Sequence, residues 1–427
     1  MKNYKVRAEK IEARIQELAQ YSDEPDCLSR IFGTKAFVEC QHRIEAWMKE
    51  AGLETYIDNI GNVRGKLVSQ KEDAKTFVIG SHFDTVINAG KYDGPLGILA
   101  GLDVIENLVT QAIALPFHIE LIAFGDEEGA RFHTFYLGSK VISGSFNTDL
   151  LQTKDDKGIS LEELLKDLQY DSAKLLQDAI PPEKWLGYYE IHIEQGPVLY
   201  KNDIAAGIVT VIAGQRRIGM EFTGIAGHAG TVPMKMRTDA LCAAAEFIVA
   251  VERFASAKKS NVVATVGKIE VQHAASNVIP GKVTCSLDLR SAGKKKLTRA
   301  YEDLNEICEE ICNKRKVYFE WKLIQEANPI SCNDDLVKLL KKSIKQKEMD
   351  VIEMESGAGH DAVEISAVAP VSMLFVRCYK GISHNPLEKV EVKDIAIALE
   401  ISDNFIQQLS SKVSDLQQVN IDKIGEV

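Results

Sequence analysis

Two strand-like apolar segments in this chain each end on acidic or histidine side chains, and this arrangement restricts the possible folds more than any other feature. Residues 76–80 lead into Ser81 and His82, and residues 117–124 lead through Gly125 into three acidic residues, 126–128. Between them, residues 95–109 carry leucine and isoleucine at helical spacing. Strands that alternate with helices predict a mostly parallel, covered sheet. Sheets of this kind bind ligands at the carboxyl ends of their strands.

The composition is that of a globular protein with an acidic balance. The chain has 427 residues, of which 45% are hydrophobic and 26% charged, and its net charge is −11. This length exceeds one ordinary hydrophobic core, so we expect two domains. An acidic chain without a basic stripe argues against nucleic acid as a partner.

No segment suggests a membrane or secretion. No apolar stretch approaches the ~18 residues of a membrane span. The first residues lack the apolar core of a signal peptide. The eight cysteines are scattered and include no CxxC pair, which is typical of reduced thiols. We therefore expect a cytoplasmic protein.

A change of pattern near residue 212 predicts an inserted domain. Four segments alternate like half-buried strands: 215–224, 261–272, 281–290 and 317–324. Two helical segments, 238–256 and 295–314, lie between them. The order β-α-β-β-α-β is typical of an antiparallel sheet with two helices on one face.

The parallel-sheet pattern resumes after this insertion. The sequence predicts a helix at 333–348, a strand at 371–377 and a final helix at 393–411, in addition to amino-terminal helices at 6–20 and 36–51. Residues after about 414 are polar and are expected to fray. We predict an α/β fold with two domains. The catalytic domain comprises 1–211 and 330–427, and an inserted α+β domain comprises 212–329.

Five residues of metal-ligand type lie in the predicted catalytic domain: His82, Asp93, Glu128, His192 and His384. Imidazole nitrogen and carboxylate oxygen suit zinc, and carboxylate-rich sites also accept manganese. One carboxylate can bridge two ions about 3.5–4 Å apart, and we assign this role to Asp93. His82 and His192 would complete one site, and Glu128 and His384 the other.

Two further carboxylates have predicted roles beside these ligands. Glu127 is available as a general base. Asp84 follows His82 by two residues, points the same way on an extended chain, and would hydrogen-bond to the far ring nitrogen of His82. Taken singly, a histidine at a strand end is usually structural, and paired glutamates usually form a solvated turn. Together, so many polar groups after buried strands would be costly unless something satisfied them, which favours a dinuclear metal site.

Four motifs resemble those of a known family: Gly80–Thr85 (GSHFDT), Asp126–Phe132 (DEEGARF), His192–Pro197 (HIEQGP) and Ser356–Ala362 (SGAGHDA). Over essentially its whole length the chain resembles the M20 metallopeptidase superfamily. The motifs mark the branch that hydrolyses ureido groups, which contains allantoate amidohydrolases, N-carbamoyl-L-amino-acid hydrolases and β-ureidopropionases.

The resemblance implies a role for the inserted domain. This domain would be the lid and the dimerisation domain of a homodimer. His228 matches the lid histidine that reaches the substrate oxyanion, and Asn277 and Arg290 match residues that hold the substrate carboxylate. Gln215 and Arg217 match a further substrate-contacting pair, although without the resemblance they would indicate only a basic strand edge. The other substrate-binding positions that the resemblance implies are Gln195, Gly359 and His360.

Three functions are compatible with these residues. The segments Asp23–Phe32 and Met373–Pro386 look most like allantoate amidohydrolases, which convert allantoate to ureidoglycine, ammonia and carbon dioxide. An N-carbamoyl-L-amino-acid hydrolase shares the same motifs and would need a more apolar pocket. A non-catalytic binding protein should have lost the base or a ligand, yet all six are present. The two ions are expected to be zinc or manganese.

Overall fold

The computed structural model describes residues 2–257, 260–346 and 349–424. Fifteen β-strands lie within these ranges: β1 Glu54–Ile57, β2 Val63–Leu67, β3 Thr76–His82, β4 His118–Phe124, β5 Trp185–Ile193, β6 Ala206–Ile212, β7 Gly214–Thr223, β8 Gly227–His228, β9 Val263–Val271, β10 Val278–Ile279, β11 Lys282–Ser291, β12 Tyr318–Ala327, β13 Ile330–Ser331, β14 Glu353–Ser356 and β15 Val371–Val376.

The same described ranges contain eleven α-helices: α1 Lys2–Leu18, α2 Lys35–Glu50, α3 Pro95–Thr110, α4 Leu137–Ser143, α5 Leu161–Asp167, α6 Val198–Asn202, α7 Ala240–Ser256, α8 Lys294–Arg315, α9 Asp334–Lys345, α10 Ala362–Ile365 and α11 Val392–Ile424. None of these helices combines the length and apolar character that crossing a membrane requires.

The chain divides into two compact units. The first comprises Met1–Thr210, Cys332–Met354 and Gly359–Val427, and the second comprises Val211–Ser331 and Glu355–Ala358. The main range of the second unit lies close to the inserted domain expected at 212–329. The role of that domain as lid and dimerisation domain stays a prediction.

A large sheet organises the first unit. Within this unit its strand order is β1-β2-β4-β3-β5-β15-β6, and β14 also pairs with β6. The four central strands, β4, β3, β5 and β15, run parallel, whereas β2 and β6 flank them in antiparallel pairings. All seven residues of β3 are buried, as expected for a strand covered on both faces. The predicted α/β class is confirmed.

Three long helices pack together in this unit. α3 packs on β3, β4 and β5, and α1 and α11 pack against α3 and against each other. Arg7 of α1 joins the three helices because it donates hydrogen bonds to Asp103 of α3 at 2.7 Å and to Asp403 of α11 at 2.6 Å. Burial of both carboxylates makes this bridge part of the core.

Some elements differ from the predictions. The strands β1, β2, β5 and β6 were not predicted; β5 was missed because Glu190 and His192 interrupt its apolar pattern. The final helix continues to Ile424, beyond the point near 414 where fraying was expected. Residues 347–348 of the helix predicted at 333–348, and residues 425–427, lie outside the described residues.

The second unit contains a four-stranded antiparallel sheet in the order β12-β7-β11-β9. α7 and α8 pack on this sheet and bury Phe222, Phe247, Leu287 and Leu304. The chain order β7-α7-β9-β11-α8-β12 is the predicted β-α-β-β-α-β order. Alternation along β7 and β11 directs their polar side chains away from this core. A separate two-stranded ladder joins β8 to β10.

Candidate metal centre

The predicted metal ligands lie at the carboxyl ends of the four central parallel strands. His82 is the last residue of β3, and His192 is the next-to-last residue of β5. Glu128 follows β4, and His384 follows β15. Asp93 lies two residues before α3, in the connection that leaves β3. The topology therefore collects residues that are far apart in the chain at one edge of the sheet.

Asp93 lies at the centre of this group. Its Oδ1 is 3.5 Å from Nε2 of His82 and 3.1 Å from Nε2 of His192. Its Oδ2 is 3.2 Å from Nε2 of His384, which is also 3.3 Å from Oε1 of Glu128. Each carboxylate oxygen thus faces a different set of ligand atoms, and the two sets are those predicted from the sequence.

The imidazole rings are oriented to offer Nε2 to a cation. Nδ1 of His82 lies 3.1 Å from the backbone oxygen of Asp84, and Nδ1 of His192 lies 2.9 Å from that of Ile193. A carbonyl oxygen only accepts, so Nδ1 carries the proton in each neutral ring and Nε2 presents a lone pair. That lone pair faces a carboxylate oxygen, which is repulsive unless a proton or a metal ion lies between them.

The separations fit a shared divalent ion. Two ligand atoms about 2.0–2.1 Å from one tetrahedral zinc ion lie roughly 3.4 Å apart. The four distances around Asp93 range from 3.1 to 3.5 Å. The nitrogen and oxygen donors also match the ligand chemistry of zinc and manganese. The residues present therefore fit the metal centre expected from the sequence.

Electrostatics around Asp93 favour cations. Hydrogen bonds to Asp93 and then to Glu128 raise the pKa of His384 to about 10. Burial opposes protonation of His82, but Asp84 and Asp93 outweigh it and hold the pKa of His82 well above its usual value. Burial alone would raise the pKa of Asp93, yet the three histidines hold it well below its usual value. The raised pKa values of His82 and His384 favour their protonated forms in the metal-free protein, so a metal ion bound by these residues would displace protons.

Glu127 and Asp84 lie beside the candidate ligands, and the Asp84 side chain makes a different contact from the one predicted. Glu127 is 7% exposed and groups with His82 and Glu128 within 4.8 Å. Burial raises its pKa well above the usual value, against the opposing charge of His82.

The Asp84 side chain does not make the predicted hydrogen bond to His82. Its Oδ1 is 3.7 Å from Nδ1 of His82, beyond hydrogen-bond distance, and the backbone oxygen of Asp84 makes that contact instead. The Asp84 carboxylate accepts from the backbone N–H groups of Glu127 and Glu128.

Two residues predicted to bind substrate contact candidate metal ligands here. Gln195 donates from Nε2 to Oδ2 of Asp93 at 2.7 Å. The ring of His360 is 1% exposed and lies edge-on to His192, with 4.6 Å between ring centroids. Burial first, and then the charge of His192, lowers the pKa of His360 well below its usual value. Gly359 lies against the hydroxyl of Tyr136.

A further group of possible ligands, Glu190, His192 and His360, shares His192 with the first. Because Nδ1 of His192 contacts the backbone oxygen of Ile193, the ring offers one nitrogen to a cation, and this group is an alternative arrangement rather than an additional site.

In the second unit, Asp288 gathers three of the predicted substrate residues. Gln215 donates to Oδ2 of Asp288 at 2.7 Å. Arg290 donates from Nε and Nη2 to the two carboxylate oxygens, each at 2.9 Å, and Nε of Arg217 lies 3.6 Å from Oδ2. Arg290 also donates to the backbone oxygen of Gly357 at 2.7 Å. Asp288 was not predicted; its only signal was its place two residues before Arg290 on one face of β11.

His228 and Asn277 are also brought together in the second unit. His228 pairs with Val278 between β8 and β10, and Ala229 donates to the backbone oxygen of Asn277 at 2.9 Å. The N–H of Gly230 donates to Nδ1 of His228 at 3.0 Å, so the neutral ring carries its proton on Nε2. His228 is exposed.

Arg237, which was not predicted, holds the turn after His228 in place. It donates to the backbone oxygens of Ala229 at 2.6 Å and Val232 at 3.1 Å. Arg237 is half-buried, and its guanidinium joins two carbonyl oxygens of the turn, which fixes the path of the backbone. The sequence offered no signal for these backbone contacts.

Comparison with known proteins identifies the family of this chain. Residues 78–408 match the profile of peptidase family M20/M25/M40, well over half of the chain. The chain belongs to this family. The predicted family resemblance is therefore confirmed, and membership makes the protein a hydrolase of a family that is typically metal-dependent.

Individual M20 relatives extend the match to nearly the whole chain. The protein is 38% identical to allantoate deiminase 1 from Glycine max, over 93% of this chain and 89% of that protein. It is 34% identical to an N-carbamoyl-L-amino acid amidohydrolase from Geobacillus stearothermophilus, over 95% and 99%. Its fold is similar to that of an amidase of the hydantoinase/carbamoylase family from Burkholderia multivorans, with a TM-score of 0.85, 30% identity and coverage of 93% and 97%.

Proposed function

We propose that this M20 protein is an amidohydrolase that uses two divalent metal ions to cleave a ureido carbon–nitrogen bond of allantoate. One observation carries the proposal: Oδ1 of Asp93 faces His82 and His192, whereas Oδ2 faces His384. A carboxylate divided in this way suits two ions that share it as a bridge. Zinc and manganese both suit the donors.

The residues of the chain have distinct tasks in this reaction. Ions held by the five ligands would lower the pKa of a bound water and polarise the ureido carbonyl. Glu127 takes a proton from the attacking water and delivers it to the leaving nitrogen, a role that fits its place beside His82 and Glu128. The carbonyl carbon leaves as carbamate, which decomposes to ammonia and carbon dioxide. We assign His228 as the hydrogen-bond donor to the oxyanion, because its Nε2 carries the proton.

Allantoate is our preferred substrate because it is polar at both ends. Arg290 is our candidate for binding its carboxylate, because a guanidinium binds a carboxylate through two parallel hydrogen bonds. Its Nε and Nη2 contact Asp288 in this structure, so the substrate carboxylate would have to share or displace that partner. Gln215 and Arg217 lie on the same face and supply further donors. The similarity to an allantoate deiminase at 38% identity supports this choice.

An N-carbamoyl-L-amino acid is the alternative substrate. A cleft of about 590 Å³ on the polar face of the second unit's sheet is lined by Arg217 and Arg290, and also by Val263 and Ile324. Both apolar side chains are exposed. An apolar amino-acid side chain would find contacts there, and the 34% identical relative supports this reading.

We further propose a homodimer formed through the second unit, as expected from the sequence. The substrate and a second copy of the chain are the partners we expect, and neither nucleic acid nor a membrane is among them. The cytoplasmic location stays a prediction.

A substrate comparison on metal-defined protein tests the function. The purified chain would be stripped with a chelator, reloaded with Zn²⁺ or Mn²⁺, and analysed for metal per chain. Ammonia release would then be measured with allantoate and with N-carbamoyl-L-amino acids. We expect two ions per chain and the higher kcat/KM with allantoate. A strong preference for an N-carbamoyl-L-amino acid would reverse the substrate assignment, and activity in the metal-free protein would contradict the mechanism.

A further inference from the structure

We propose that Glu388 is the positioning residue that fixes the loop carrying Asp93, and thereby sets the metal affinity of the centre. This inference rests on the metal centre proposed above but not on the identity of the substrate. Glu388 is 4% exposed and was not among the residues predicted from the sequence.

Glu388 holds the backbone that leads into Asp93. Its Oε1 accepts hydrogen bonds from the backbone N–H groups of Tyr92 at 2.7 Å and Asp93 at 3.1 Å. Two successive N–H groups that converge on one oxygen fix the orientation of both peptide planes. The direction in which the Asp93 side chain leaves the backbone follows from these planes.

Glu388 also acts on the Asp93 side chain through one intermediate. Its Oε2 lies 3.1 Å from Oγ of Ser383, and that hydroxyl donates to Oδ2 of Asp93 at 2.7 Å. Ser383 immediately precedes the ligand His384. The Glu388 carboxylate therefore holds the backbone of Asp93 directly and its side chain through Ser383. It does so from the segment that also supplies His384.

The loop before Asp93 is shaped around this carboxylate. A Cβ atom on Gly90 would lie 2.2 Å from Cδ of Glu388 and 2.3–2.4 Å from its oxygens. Real Cβ contacts are not that short, so residue 90 must lack a side chain while Glu388 keeps this position. Glycine is required at position 90 because the Glu388 carboxylate occupies the space that a side chain would need.

Glu388 supports Asp93 rather than binding a metal itself. Oε1 is occupied by two N–H groups, and Oε2 faces the Ser383 hydroxyl. Groups that orient metal ligands in this way affect affinity strongly, because their loss typically weakens metal binding about 10–100-fold. A residue that only filled the core would instead change the stability of metal-free and metal-loaded protein alike.

The test compares zinc affinity among full-length variants by competition with a chromophoric chelator, with thermal unfolding of the metal-free proteins measured in parallel. We expect Glu388→Ala to weaken Zn²⁺ binding about 10–100-fold. Glu388→Gln keeps an oxygen for the two N–H groups and should recover part of that loss. Gly90→Ala disturbs the same contact from the loop and should also weaken binding.

Glu391→Ala is the matched control, because Glu391 lies in the same segment but is exposed and pairs with Lys389 at 2.8 Å. Its zinc affinity should equal that of the unaltered protein. Wild-type zinc affinity in Glu388→Ala would overturn the positioning role. If Glu388→Ala does not fold, wild-type affinity in both Glu388→Gln and Gly90→Ala would overturn it. Failure of the unaltered chain to bind Zn²⁺ would instead overturn the metal centre itself.

Discussion

Asp84 accepts a hydrogen bond from the backbone N–H of Glu127 at 3.1 Å. Its other carboxylate oxygen accepts from the N–H of Glu128 at 3.2 Å. Asp84 follows β3 and the two glutamates follow its neighbour β4, so one side chain joins the ends of two adjacent strands. Asp126, which begins the acidic turn, has a left-handed φ of 58°. The position of the proposed base therefore depends on a carboxylate outside its own loop.

We expect Asp84→Ala to lower turnover about 10–100-fold, the usual cost of losing a group that supports a metal site. Two buried N–H groups would lose their acceptor, and the turn that carries Glu127 would shift. Asp84→Asn keeps one acceptor oxygen and should lose less. Asp156→Ala, at an exposed site, is the control. Equal kcat values in Asp84→Ala and wild type would contradict the supporting role.

Glu127→Gln should abolish turnover while metal content stays unchanged. The substitution keeps size and removes the group that accepts the proton, so kcat should fall at least about 10²–10⁴-fold. Steady-state ammonia release and metal analysis of the same preparation check this. Substantial residual activity would exclude Glu127 as the base.

Zinc affinity should rise with pH. Hydrogen bonds to Asp93 and Glu128 raise the pKa of His384 to about 10. This ring stays protonated in the metal-free protein at neutral pH, and a bound ion must displace that proton. Each proton released strengthens apparent binding about tenfold per pH unit. Competition titrations between about pH 6 and pH 8 measure the slope; a flat profile would show that His384 binds no ion.

The same raised pKa has an opposite consequence for the metal-free protein. Protonated His384 next to two carboxylates contributes stability that is complete below its ordinary pKa of 6.5 and is lost as the pH rises through about 10. The free energy of unfolding of the metal-free protein should therefore contain a contribution from His384 that declines between about pH 6.5 and pH 10. The metal-loaded protein should not show the decline.

Asp288→Ala should raise KM for allantoate more than it changes kcat. Removal of this carboxylate leaves Arg217 and Arg290 without their shared partner and leaves Gln215 without its acceptor. We expect an increase of about tenfold, equivalent to about 1.4 kcal/mol. Asp303→Ala, at a partly exposed position on α8 that pairs with Arg299, should leave KM unchanged. A lower KM would show that Asp288 competes with the substrate carboxylate.

His228→Ala should lower kcat about 10²–10³-fold, the range for loss of one oxyanion donor. Metal content should not change, because His228 belongs to the second unit. His273→Ala, another exposed histidine of that unit, is the control. An unaltered kcat in His228→Ala would remove this residue from the mechanism.

Sequence patterns predicted the ligands of the candidate centre better than the residues around them. His82 and Glu128 follow strands whose apolar character is plain, so their place at a sheet edge could be inferred. Glu388 and Ser383 could not be assigned, because their contacts with the Asp93 loop join segments about 290 positions apart. Alternation along β11 indicated that Asp288 lies on the polar face of the sheet, but not that it contacts Gln215, Arg217 and Arg290. Strand β5 was not predicted because Glu190 and His192 interrupt its apolar pattern.

The positions of the candidate ligands along the chain also determine when the centre could assemble during synthesis. His82, Asp93, Glu128 and His192 all lie in the first half of the chain, whereas His384 and Glu388 come near its end. A nascent chain that folds from its amino terminus would hold only part of the ligand set until the ribosome has passed these positions. Only the completed polypeptide would then bind metal tightly, and a product truncated before His384 would bind it weakly.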